Sequence, residues 1–133
     1  MYLGEKFEYY EMGQDEKERV LEAIRQELAK YEDILLAIVF GSFVELKEFR
    51  DIDIAIYSLR TDLDFVLELG ARLEEMLEIP IDVIPLIDVS PRFRYYILTK
   101  GRIVLERVSG LYEALLSMTF DDLKREELIT QKS

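Results

Sequence analysis

The chain has 133 residues, 50% hydrophobic and 34% charged, with 28 acidic against 17 basic side chains and a formal net charge of −11. That is a globular composition with room for one packed core, and the acidity argues against a long polynucleotide or an anionic membrane as the main ligand, while a nucleotide can still bind where a metal supplies positive charge. Cys and His are absent, which excludes disulfide frameworks, thiolate zinc sites, Ser-His-Asp triads and cysteine nucleophiles.

In chain order, residues 1–13 show no clear period and are expected to form a short strand or an N-terminal arm packed on the body or on a partner. The first twenty residues hold no signal-peptide core, and the longest apolar run, Ile34–Phe40, is too short to span a bilayer. The expectation is a cytoplasmic protein. Gln14–Tyr31 reads as a helix, with Val20, Leu21, Ile24, Leu28 and Tyr31 on one stripe and acids in the first turn. Ile34–Phe40 reads as a buried strand ended by glycine. Phe43–Arg50 is a connection and Asp51–Tyr57 a second strand; the link is short, so the two strands are expected to be antiparallel neighbours. Leu63–Leu77 has a helical stripe of Leu63, Val66, Leu67, Leu69, Leu73, Met76 and Leu77. Ile79–Leu86 is a third strand bounded by Pro80 and Pro85. Ser90-Pro91 opens a short helix that stops at Gly101. Arg102–Glu106 is a candidate strand, and Gly110–Ile129, within the segment 110–133, a final helix. The order predicts one α+β domain over residues 1–133, a small mixed sheet flanked by helices.

Chemistry concentrates at Asp51-Ile52-Asp53. In a strand, positions two apart share a face, so the two carboxylates project together and Ile52, Ile54 and Ile56 project to the other side. Roughly 0.7 such D-x-D pairs arise by chance in a chain of this composition. The informative feature is the context, a D-x-D at the head of a buried-type strand just after a strand that ends in Gly41-Ser42. Glycine lets a phosphate approach the backbone, and the serine hydroxyl and nearby N–H groups can donate to it. Asp82 stands within IPIDVIPL, where Ile81, Val83 and Ile84 read as buried. A carboxylate in such a strand needs a partner. If this strand lies beside Asp51–Tyr57, three carboxylates meet, enough oxygen ligands for two Mg²⁺-, Mn²⁺- or Ca²⁺-type ions. Asp82 is then also the candidate to accept the proton of an attacking hydroxyl. Lys47, Arg50, Arg92 and Arg94 are candidate phosphate contacts.

Gly41-Ser42, Asp51-Ile52-Asp53 and Asp82 together resemble the signature of the nucleotidyltransferase fold of the DNA polymerase β superfamily, over about Ile34–Leu86. The length and element order resemble its minimal nucleotidyltransferase (MNT) group. GLYEALLSMTFDDLKREELI resembles the last helix of MntA-like antitoxins, which pair with HEPN-domain toxins. The resemblance implies Mg²⁺-dependent transfer of a nucleoside monophosphate from an NTP, ATP in the MntA-like members, to a hydroxyl of a HEPN partner. By position it makes Gly41 and Ser42 nucleotide-binding, and Asp51, Asp53 and Asp82 the metal-binding and catalytic triad. The chain departs from the family between Ser42 and Asp51. The segment FVELKEFR has eight residues where relatives have about ten, and lacks their arginines and second glycine. This departure opens a rival reading, an MNT-fold module that neutralises its partner by binding alone. A third reading, transfer to a cationic small molecule, suits the acidic surface. Self-association is compatible with all three.

Overall fold

The computed structural model describes residues 8–132, with side chains described to residue 130. Of the expected N-terminal arm, residues 1–7 lie outside the described residues, and Tyr10–Glu11 forms β1. Then follow α1 (Gln14–Leu28), β2 (Ile34–Phe40), α2 (Ser42–Glu45), β3 (Glu48–Phe49), β4 (Ile52–Ser58), α3 (Leu63–Leu77), β5 (Ile81–Pro85), α4 (Pro91–Lys100), β6 (Arg102–Glu106) and α5 (Leu111–Lys132). A 3-10 turn, Leu86–Asp88, joins β5 to α4.

Four strands make one sheet in the order β5-β4-β2-β6. β2 is antiparallel to β4 and β6, whereas β4 and β5 are parallel, linked by the α3 crossover. The sheet is mixed, as expected. β2, ILLAIVF, sits in the middle and is buried along nearly its whole length, which suits a run of β-branched and aromatic residues covered on both faces.

The alternation along each strand sorts side chains into two cores. On the first face, Ala37 and Val39 of β2 join Ile52, Ile54 and Ile56 of β4 and Ile81 of β5 under Leu21, Ile24 and Leu28 of α1 and Leu69 and Leu73 of α3. On the second face, Leu36, Ile38, Phe40 and Ala55 meet Leu86, Ile97 and Leu98, and Leu115 of α5.

Helix ends follow local chemistry. Asp62 caps α3 by accepting from the Phe65 N–H, and Ser90 caps α4 by accepting from the Phe93 N–H, with Pro91 in the first turn. Gly101 ends α4 hard against β2: a Cβ there would lie 2.4 Å from Ile38 Cγ2.

Three expectations change. The connection after Ser42 contains α2 and β3, and β3 pairs with β1 in a separate two-stranded sheet. The third strand is shorter than Ile79–Leu86, because Pro80 precedes the pairing and Pro85 ends it. On α3, Leu63, Leu67 and Met76 are exposed. A helix of 15 residues buries only a stripe, and Phe65, Val66, Leu69, Gly70 and Leu73 occupy it.

A carboxylate cluster beside a glycine turn

The site forms where β2 ends and β4 and β5 begin. Asp51 lies just before β4, and Asp53 and Asp82 are each the second residue of their strand. The register places Asp53 opposite Phe40 of β2 on one side and opposite Asp82 of β5 on the other. Partners in register share a face, so Phe40, Asp53 and Asp82 form a row across three strands on the α4–α5 face. One carboxylate oxygen from each of Asp51, Asp53 and Asp82 lies within 4.8 Å of the others. The residues that the sequence singled out are thus brought together.

Asp51 and Asp53 are half-buried and Asp82 is exposed. Burial pushes the Asp53 carboxyl up to about 6, and the charges of Asp51 and Asp82 push the same way. Three oxygen donors crowded so that one resists ionisation are a donor set suited to a hard divalent cation, which would remove the repulsion.

Gly41 is required where it stands. Its φ of +85° is left-handed, and a Cβ would lie 2.6 Å from Asp53 Oδ2. Its carbonyl accepts from the Val44 and Glu45 N–H groups, each at 3.0 Å, which folds α2 back at once and leaves Ser42 half-buried at its start.

The loop from Ser42 to Asp51 is held from two sides by residues the sequence reading passed over. Lys17 of α1 is buried, donates from Nζ to the Leu46 carbonyl at 2.5 Å and lies 5.3 and 5.6 Å from the Phe43 and Phe49 ring centroids. Burial lowers its pKa. Tyr96 of α4 donates its hydroxyl to the Glu45 carboxylate. That bond, together with burial and the negative charges of Glu45 and Asp53, drives the phenol up to about 12. A lysine at the start of an amphipathic stripe, and aromatics at 93 and 96 one turn apart, were the available signals.

Of the four candidate phosphate contacts, Arg94 and Lys47 are committed to carboxylates outside the cluster. Arg94 is buried between α4 and α5, donating from Nε to Thr119 Oγ1 at 2.9 Å and from its Nη2 to Asp122 at 2.6 Å. Lys47 pairs with Glu11 at 3.0 Å. The Arg50 guanidinium lies 5.7 Å from the Tyr9 ring centroid, and Arg92 lines an α5 groove with Leu123, Glu126, Glu127 and Thr130.

Residues 22–109 match the family model described as polymerase β, nucleotidyltransferase. No curated protein matches the chain significantly. Solved structures similar to this chain include a MntA–HepT toxin–antitoxin structure, with TM-score 0.71 and 20% identity over 86% of this chain and 93% of that one. Another holds a tri-AMPylated Shewanella oneidensis HEPN toxin in complex with an MNT antitoxin, with TM-score 0.67 and 20% identity over 84% and 93%. A toxin–antitoxin structure with AMP-PNP gives TM-score 0.69 and 22% identity over 90% and 94%. At these identities the likeness is one of fold.

Proposed function

Because the chain belongs to the polymerase β nucleotidyltransferase family, we propose that it moves AMP from ATP to a hydroxyl of a partner protein and that this partner is a HEPN-type toxin. The observation that carries the reading is the convergence of Asp51, Asp53 and Asp82 beside a turn where only glycine fits. The naming of similar folds as MNT antitoxins, one with an AMPylated HEPN toxin, supports the choice of partner and transferred group.

In this reading Asp51 and Asp53, with Asp82, hold Mg²⁺, two ions in the full complement. When bound, the metal polarises the phosphoryl oxygens and offsets charge as it shifts to the leaving group. Gly41 leaves space for the triphosphate at the backbone, and the Ser42 hydroxyl donates to it. Asp82, the most exposed of the three, takes the proton from the acceptor hydroxyl. The acceptor oxygen bonds to the α-phosphorus, the bond from that phosphorus to the β-phosphate oxygen breaks, and pyrophosphate leaves.

The test is Mg²⁺-dependent transfer of label from α-labelled ATP to the co-purified partner. Replacing Asp51 and Asp53 by Asn abolishes it; undiminished labelling by that variant refutes the proposal. One observation favours the binding-only alternative. The loop after Ser42 is short, and two of the candidate phosphate contacts, Lys47 and Arg94, are committed to Glu11 and to Asp122. Calorimetry separates the two: a chain that binds the partner tightly but yields no heat with Mg²⁺-ATP is a binding module.

A further inference from the structure

α4 carries Phe93 and Tyr96 at i and i+3, neighbouring positions on one helical face. Their rings are nearly parallel, 11° apart with centroids at 6.1 Å. Phe40 meets both edge-on, at 5.7 and 6.4 Å. Phe40 is also the register partner of Asp53, so the aromatic group adjoins the carboxylate row on the same face of the sheet. The Tyr96 hydroxyl is tied to Glu45, one helical turn beyond Ser42, and the Asp53 charge is among the causes that raise its pKa.

The group is therefore fixed from three directions: by the sheet through Phe40, by the turn after Gly41 through Glu45, and by the α4 backbone. Yet Phe93 remains 39% exposed. A rigid aromatic surface left open beside a site suits another flat ring, because offset stacking needs a held plane and costs little further ordering. The surroundings narrow the choice. Glu45, Asp51, Asp53 and Asp82 make the rim acidic, which disfavours an anionic group without a metal but suits a neutral heterocycle whose amino edge can meet a carboxylate oxygen.

We propose that Phe93 and Tyr96 form the surface on which the base of the donor nucleotide stacks, next to phosphates held at Gly41-Ser42. The proposal rests on the nucleotidyltransferase reading above. Stacking tolerates every base because each has a π face.

The experiment is calorimetric titration of the whole chain with Mg²⁺-ATP and, separately, with Mg²⁺-tripolyphosphate, which has the phosphates and no base. Phe93→Ser is expected to weaken Mg²⁺-ATP on the order of tenfold and to leave Mg²⁺-tripolyphosphate unchanged, while Phe93→Tyr restores ATP binding. Tyr96→Phe keeps the ring and retains most of the ATP affinity. Equal ATP affinity in Phe93→Ser and the parent chain overturns the proposal. So does a parallel loss of tripolyphosphate binding, which would make Phe93 a support of the phosphate site or of the fold, and so does a loss confined to binding of the protein partner. If the parent chain binds neither ligand, the nucleotidyltransferase reading fails, and the stacking surface with it.

Discussion

The two faces of the sheet differ in kind. Along β4 the face under α1 and α3 is aliphatic, with Ile52, Ile54 and Ile56 all buried, and its buried charges, Lys17 and Glu27, come from α1 and not from the sheet. The opposite face begins in the same way, with Leu36, Ile38 and Ala55, but at one end it gives way to Asp53 and Asp82, and between α4 and α5 it admits the buried Arg94. Burial on the first face contributes stability. The second face trades some of it for a carboxylate cluster in which Asp53 is held against its preferred ionisation.

The sharpest way to break this contrast is to exchange the properties. Asp53→Asn is expected to cut transfer activity on the order of 10³-fold, since a lost metal site removes several kcal/mol of transition-state stabilisation, and to leave apo stability equal or higher. Leu73→Ala on the first face should do the reverse. It is expected to cost about 2–5 kcal/mol in urea unfolding, because a fully buried leucine leaves a cavity, with activity per folded molecule retained. A stability loss in Asp53→Asn as large as in Leu73→Ala would remove the distinction between the faces.

How the sequence foreshadowed these faces depends on the range of the interactions involved. β2 and β4 are legible because a strand's face is fixed by parity: Ile52, Ile54 and Ile56 declare one side, and Asp53 falls on the other. That Asp82 faces Asp53 is not readable from parity. It depends on a parallel register set by packing of α3, where Gly70 comes to lie against the Ile81 carbonyl of β5. The segment 43–50 looks like a plain connector because its structure comes from distant partners, Lys17 on α1 and Glu11 and Tyr10 on β1. Arg94 reads as a surface or phosphate-binding arginine because its partners Thr119 and Asp122 lie 25 and 28 residues away. Phe93 and Tyr96 show their spacing in the sequence; the Phe40 ring that holds them comes from another element.

A smaller effect probes the second face away from the cluster. Arg94→Met is expected to destabilise the chain by about 1–3 kcal/mol in urea unfolding, below the usual figure for a broken buried pair. Asp122 is partly exposed and keeps Arg125 at 3.0 Å, so its charge is not stranded. The methionine also refills the buried volume that Arg94 occupies. A cost near zero would mean that the ion pair fixes the α4–α5 register without adding stability.

The finest distinction is in pH. Asp53 has a folded-state pKa of about 6 against an ordinary value of 3.8. Between those values the folded chain binds more protons than the unfolded one, so this group makes stability fall as pH rises from about 4 to about 6 and leaves a constant penalty above. Other carboxylates act in the opposite sense, Glu22 among them with its pKa near 2, so the Asp53 contribution is isolated as the difference between the parent chain and Asp53→Asn. That difference should grow up to about pH 6 and then level off. A divalent cation competes with the proton for the same oxygens. Mg²⁺ should therefore raise the melting temperature of the parent chain more at about pH 7.5 than at about pH 5, and should have little effect on Asp53→Asn at either. An equal Mg²⁺ shift at both pH values would place the ion away from Asp53, and the second face would then carry a strained carboxylate with no metal to relieve it.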